Sequence, residues 1–264
     1  WSKEQIRAEH DFLFELAAED IPVVCPISLS PGCTIGEIEG IYFSLFERRG
    51  GRSPSELSEE QLHVLGRLVA RMHNIGAGKK TSLRPELSCE TYGRRNLEFL
   101  LSGDIIPKEA RDIYASTVET LLKRIEPLFV DVPVHRIHGD CHLGNLLWLD
   151  KSGPAFLDFD DMAVGPAVQD IWLLVPSYDA AGQQQREVLI EAYRQFRDFS
   201  PSWLRLIEPL RALRFIHYSS WIARRWEDPT FKRTFDYFGT LQYWQKETQD
   251  LREQIARIDQ SASN

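Results

Sequence analysis

Apolar residues recur at helical spacing in several long stretches of this chain and at strand-like spacing in a few short ones. Over residues 4–19, EQIRAEHDFLFELAAE, Ile6, Leu13 and Leu16 share one face of an amphipathic helix, and Glu9 lies on that same face. A carboxylate on an apolar stripe needs a partner, because a buried unpaired charge is costly. After Ser58 the run EEQLHVLGRLVARMHNIG predicts a second helix with Leu62, Leu65, Val69 and Met72 inward. Ser58 and Gln61 form a capping box at its start, and Gly76 and Gly78 end it. Pro107 opens a third helix, EARDIYASTVETLLKRIEPLF, whose core face is Ile113, Val118, Leu121, Leu122 and Ile125. From Gln183 onward the pattern is helical, with segments at 188–199, 203–226 and 241–258.

The strand signals are shorter. Residues 23–29 and 40–46 read as two strands with Pro31-Gly32 in the turn region between them. Further on, brief runs at 134–137, 146–149 and 155–157 are bounded by turn residues, among them Asp150-Lys151-Ser152-Gly153-Pro154. These runs deliver Asp140, Asn145 and Asp158 at their ends, and side groups at the ends of neighbouring strands converge on one cleft. Two carboxylates and an amide gathered there point to a divalent cation and a phosphate. Mg²⁺ is a hard cation that prefers oxygen ligands, which Asn145 and Asp158 supply. Asp140 can orient an attacking hydroxyl without binding metal, and Gly139 allows the sharp backbone turn before it.

The run His138-Gly139-Asp140, then Asn145, then Leu157-Asp158-Phe159-Asp160 resembles the aminoglycoside phosphotransferase and choline kinase family. That family keeps the protein kinase fold and writes His-Gly-Asp where protein kinases write His-Arg-Asp. The ordered segments HGDCHLGNLLW, GPAVQDIW, IEPLRALR and WIARRWEDPTF resemble its bacterial stress-response branch of serine/threonine protein kinases, over residues 1–244. The resemblance implies an α+β, protein-kinase-like fold of two lobes, with an incomplete small lobe at residues 1–46 and a mainly α-helical large lobe at 47–264. It implies ATP as co-substrate, Mg²⁺ as cofactor, Asp140 as catalytic base, and Asn145 and Asp158 on the metal. It makes Glu9 the carboxylate that pairs with a phosphate-holding strand lysine, and it gives the Phe46 carbonyl and the Arg48 amide to adenine. Asp170 would anchor the catalytic loop through backbone amides. Asp160 stands where protein kinases have Gly, as in small-molecule kinases. The strand lysine and the glycine-rich loop are missing from the sequence, so a chain truncated before Trp1 is expected.

Bulk properties narrow the partners. The sequence is 43% hydrophobic and 27% charged, which fits a globular protein, and its net charge of −8 disfavours nucleic acid or an acidic membrane as partner. No apolar run approaches the ~20 residues that span a bilayer. Four separated cysteines, Cys25, Cys33, Cys89 and Cys141, suggest reduced thiols in the cytoplasm, and a monomer is expected. His135, His138, Cys141 and His142 crowd together, but no C-x2-C pair accompanies them, so the pattern of a zinc site is incomplete. His73 reads as a structural histidine, and Arg94 and Arg95 as members of surface ion pairs. Trp203, Trp221, Trp226 and Trp244 read as packing residues. Two rivals to a protein kinase remain. One is a small-molecule kinase, since an acidic cleft favours a cationic amine. The other is a non-catalytic binding module, favoured by the missing lysine and loop.

Overall fold

The computed structural model describes residues 1–149 and 153–262, so the turn expected at Asp150-Lys151-Ser152 lies outside the described residues. In chain order come α1 (Lys3–Ala18), β1 (Gly36–Ile38), β2 (Ile41–Phe43) and α2 (Glu59–Gly78). A short π-helix (Cys89–Arg94) then runs into α3 (Arg95–Ser102), followed by α4 (Lys108–Ile125). Next are β3 (Val134–Ile137), β4 (Leu146–Leu149), β5 (Gly153–Phe156), β6 (Ala163–Pro166), α5 (Val168–Leu174) and α6 (Ala180–Arg194). The helices α7 (Ile207–Arg224), α8 (Pro229–Thr234) and α9 (Leu241–Ala262) follow. Two compact units result. The first joins Trp1–Glu86 to Pro133–Pro201, and the second joins Leu87–Val132 to the chain from Ser202 onward.

The first unit is built on α2. Its N-terminus carries the expected capping box: Ser58 Oγ accepts from the Gln61 amide, and Gln61 Oε1 accepts from the Ser58 amide. Leu62, Leu65, Val69 and Met72 are all buried. Two glycines let the helix touch other backbone. A Cβ at Gly66 would lie 2.3 Å from the Leu189 carbonyl of α6, and one at Gly76 would lie 2.1 Å from the Arg136 carbonyl of β3. Gly76 therefore serves close packing inside the helix and does not end it; α2 runs on to Gly78. The strands form three antiparallel pairs, β1–β2, β3–β6 and β4–β5.

The N-terminal strands differ from expectation. Residues 23–29 are bridged singly, Val23 to Phe156 and Pro26 to Phe46. Pro22 and Pro26 have no N–H to give, so a continuous ladder cannot form. The hairpin instead turns at Glu39 and Gly40, whose φ angles of 52° and 79° suit a type I′ turn. Pro31-Gly32 makes a separate tight turn closed by the Cys33 amide on the Ser30 carbonyl at 2.9 Å.

In the second unit α4, α7 and α9 share a core centred on Trp244, which is fully buried, meets Tyr114 edge-on at 4.9 Å and donates Nε1 to the Ile105 carbonyl. Ile113 lies at the edge of the α4 stripe and is 44% exposed, so the core face is Tyr114, Val118, Leu121, Leu122 and Ile125. The segment expected as helix 203–226 opens as a 3₁₀ turn over Pro201–Leu206 and becomes α-helical at Ile207. In the first unit α6 starts at Ala180 because the Asp179 carboxylate caps the Gly182 amide at 2.7 Å. The run AAGQQQ has no apolar period to announce that start.

Glu247 of α9 gives a pH-dependent stability. Burial, helped by Asp250, pushes its carboxyl up to about 7, although the Ser219 hydroxyl donates to it at 3.0 Å and Lys246 lies near. The native state then holds a proton that the unfolded chain releases above its ordinary carboxylate pKa. Stability falls as pH rises from there through about 7. Glu247→Gln should raise the thermal midpoint by about 3–6 °C at pH 8, from roughly 1–2 kcal/mol after allowing for partial exposure, and leave it unchanged at pH 5. Scanning calorimetry at the two pH values checks this; an equal shift at both would dismiss it.

Candidate active site

β3 ends in the segment that carries Asp140. Its pairing with β6, His135 opposite Gly165 and Ile137 opposite Ala163, lays the chain beside the residues that follow Asp158. Gly139 adopts φ +87°, and a Cβ there would stand 2.1 Å from the Asp161 carbonyl. Only glycine fits a position that is both left-handed and in contact with backbone. The turn it makes presents Asp140 at the rim, partly exposed, with His142 Nε2 3.4 Å from its Oδ2.

Asp170, the first acid of α5, holds this turn from below. It is fully buried and accepts from the His138 amide at 2.9 Å, the Gly139 amide at 2.9 Å and His73 Nε2 at 3.0 Å. Burial opposes its charge, but the His73 bond and the backbone amides outweigh burial and hold its carboxyl below the ordinary value. His73 passes the network to Tyr193 of α6, 2.9 Å from Nδ1. Gln169, beside Asp170, donates to the Gly139 carbonyl at 2.9 Å and accepts from Trp172 Nε1 at 3.0 Å. Both polar groups of Gly139 are thus fixed by consecutive residues of one helix.

His138 ties this loop to the next. Its Nε2 donates to the Leu157 carbonyl at 2.8 Å, its Nδ1 accepts from the Asp140 amide at 3.3 Å, and its ring lies 4.3 Å from that of Phe159. Asn145 makes the second tie. Its amide nitrogen donates to the Asp140 carbonyl at 3.0 Å and reaches Asp140 Oδ2 at 3.5 Å, while its backbone carbonyl accepts from the Leu157 amide at 2.9 Å. Asp158, one residue on, is exposed and holds φ +58°, a left-handed conformation uncommon for a non-glycine residue. The fold therefore brings Asp140 and Asn145 into contact and sets Asp158 one residue beyond the segment both ties reach.

Asp158 also lines a cleft of about 440 Å³ with Glu9 of α1, Val24, Phe46, Leu147 and Asp160. Glu47 and Arg49, the neighbours of Arg48, line it as well. Glu9 is only 4% exposed, and burial first, then Asp160 and Asp158, push its carboxyl up to about 7 against the pull of Arg84. A cation would relieve this gathering of acids. The Asn145 side-chain nitrogen is committed to Asp140, so its Oδ1 is left available, and an amide oxygen with carboxylates is a donor set that could hold Mg²⁺. Among the described residues, no three His, Cys, Asp or Glu side chains gather to hold a metal by themselves. The histidines near Cys141 are engaged separately: His135 Nδ1 faces the Arg136 carbonyl, and burial beside His73 pulls its pKa down to about 3.

Arg84 escaped the sequence reading. Its guanidinium is buried, donates to the carbonyls of Gln5, Asp160 and Met162, and stacks 4.1 Å from the Trp1 ring. It thereby ties the first turn of α1 to the loop after Asp158. A lone arginine before a proline gives no signal of this. Gln169 and Tyr193 were equally silent, because an interior hydrogen bond has no sequence period. Arg94 and Arg95 do pair with Glu90, at 3.8 and 3.1 Å.

Comparison with known proteins follows the same line. The family model described as phosphotransferase enzyme family matches residues 1–207. Stress response kinase A of Escherichia coli strain K12 is 35% identical over 255 residues, which cover 96% of this chain and 77% of that protein. Serine/threonine protein kinase RdoA of Salmonella typhimurium matches with the same identity and coverage. Among solved structures, amicoumacin kinase hAmiN in complex with AMP-PNP, Ca²⁺ and Ami aligns at a TM-score of 0.72 and 20% identity, covering 94% of this chain and 78% of that one. The microcompartment-associated aminopropanol kinase aligns at 0.66 and 18%, covering 100% and 83%. The expected kinase-like fold is thus found. Among the described residues no helix is long and apolar enough to cross a membrane.

Proposed function

Because the chain belongs to the phosphotransferase enzyme family, we propose that it transfers the γ-phosphoryl group of ATP to serine or threonine of a protein, in a bacterial stress response. Asp140 orients the acceptor hydroxyl and takes its proton. Asn145 Oδ1 and the Asp158 carboxylate hold Mg²⁺, which when bound offsets the negative charge on the phosphate oxygens. Glu9 has the place of the carboxylate that pairs with a phosphate-holding lysine in kinases. The backbone at Phe46 and Arg48 takes the adenine, and the lobe boundary falls after Phe46. One observation supports this reading: Asn145 commits its side-chain nitrogen to Asp140 and its carbonyl to the Leu157 amide, which leaves its amide oxygen uncommitted on a segment tied to the residue just before Asp158.

A small-molecule kinase is the second reading, favoured by the acids Glu9, Asp158 and Asp160 along the cleft. ATP labelled at the γ position, offered with protein substrates and with a panel of amines and sugars, separates the two. Label stable on serine or threonine supports the first reading. Label found only on a small alcohol supports the second, and no transfer to either while nucleotide binds would overturn both.

A further inference from the structure

On the side of α1 away from Glu9 lies a second cavity, of about 330 Å³, that the reaction does not use. Arg7 and Glu9 are two residues apart, about 200° around the helix, so they face opposite ways. Arg7, Lys79, Lys80 and Arg136 all line this cavity, together with the hydroxyls of Thr81 and Ser82. Four cations around one hollow repel one another unless anions lie among them. Glu15 answers two of them: its carboxylate meets Arg136 Nη2 at 2.6 Å and Lys79 Nζ at 3.0 Å. Arg7 and Lys80 make no ion pair among the described residues, and Ser82 makes no hydrogen bond there. The acids Glu4 and Asp11 share the wall. Glu4 is held first by the helix-start amide and the Ser2 hydroxyl, with Arg7 only a distant influence. The floor is fixed, since Arg136 is 3% exposed, lies over the Phe12 ring and donates to the Gly76 and Ile75 carbonyls.

From this arrangement we infer that the cavity is a receptor for a phosphate group, held by Arg7, Lys80 and the Ser82 segment over Arg136. Two uncommitted cations and a hydroxyl on a rigid base suit a compact dianion that makes charge-assisted hydrogen bonds. The phosphate has two sources. One is a free phosphate compound. The other is a phosphoryl group on Ser82 itself, which is exposed at the end of the run Lys79-Lys80-Thr81. That source rests on the proposed activity. The Ser82 Oγ–P bond forms as the bond from the γ-phosphorus to its bridging oxygen breaks, ADP leaves, and the hydroxyl proton passes to the base. In either case the bound phosphate would fix α1, and with it Glu9, from behind.

The test uses the full chain and inorganic phosphate, at ionic strength matched with chloride, followed by amide NMR and thermal melting. Saturable shifts confined to the amides around Arg7, Lys80 and Ser82 are expected. Affinity should weaken about tenfold or more in Arg7→Gln with Lys80→Gln, both exposed positions that should fold normally, because two charge-assisted contacts are lost. Lys123→Gln, an exposed change in the other unit, should leave affinity unchanged. A chain with phosphoserine installed at position 82 decides the source without needing any activity. Loss of free-phosphate binding with a raised thermal midpoint assigns the receptor to Ser82, and retained binding assigns it to a free compound. No saturable shift, or equal binding in the double variant, would sink the receptor.

Discussion

Asp140→Asn is expected to lower turnover by about 10²–10⁴-fold while leaving the fold intact, because it removes the base and little else. The carboxylate is at the rim of the site, the Asp140 backbone is held by the His138 and Asn145 side chains, and the preceding Gly139 amide is held by Asp170. Asparagine keeps the shape and loses the proton acceptor. Nucleotide affinity in the presence of Mg²⁺ should therefore survive in Asp140→Asn and fall in Asp158→Ala, since only the second removes a metal oxygen. Single-turnover transfer together with a nucleotide titration on each variant separates the two roles. Turnover within tenfold of the parent in a folded Asp140→Asn protein would remove the base assignment.

The largest expected loss of stability comes from Asp170→Ala. The substitution takes one carboxylate from three donors in a fully buried site: two backbone amides and His73. Breaking a buried charged cluster in this way costs about 3–5 kcal/mol, which at this size is a fall in midpoint of roughly 10 °C. The pH dependence has a definite sign. The folded carboxyl is held below its ordinary value, so its contribution is fully present above the unfolded pKa and fades as pH falls through the folded one. The gap between parent and variant should be widest near neutrality and shrink under acid below pH 4. A gap that stays constant down to acid would mean that the amides, and not the charge, carry the effect. Transfer should fall as well, since the His138-Gly139 segment that presents Asp140 loses its anchor.

Legibility followed the range of the interaction. The capping box at Ser58 and the apolar stripe of α2 could be read because each signal spans only a few consecutive residues. The approach of Asn145 to Asp140 could be read because the two residues are five apart in one turn-bounded segment. Errors came where neighbours remote in sequence decided. Gly76 looked like a helix stop and proved to be the contact point of α2 with β3. Residues 23–29 looked like a strand, but prolines denied it a ladder and it is bridged singly to Phe156 and Phe46. Ile113 matched the helical period and still lies at the exposed edge of the stripe, because the period gives a face without giving its width.

By itself the sequence determined the residue chemistry of the site, the helical framework and the family likeness, since composition, period and motif are properties of adjacent residues. Only the tertiary structure decided how the site is held. It set Gln169 and Asp170 on both polar groups of Gly139, His138 on Leu157, and Arg84 between α1 and the loop after Asp158. It also gathered Arg7, Lys80 and Ser82 around one hollow. These arrangements join residues from 19 to 79 positions apart through single hydrogen bonds or unpaired charges, and such bonds leave no periodic trace along a chain.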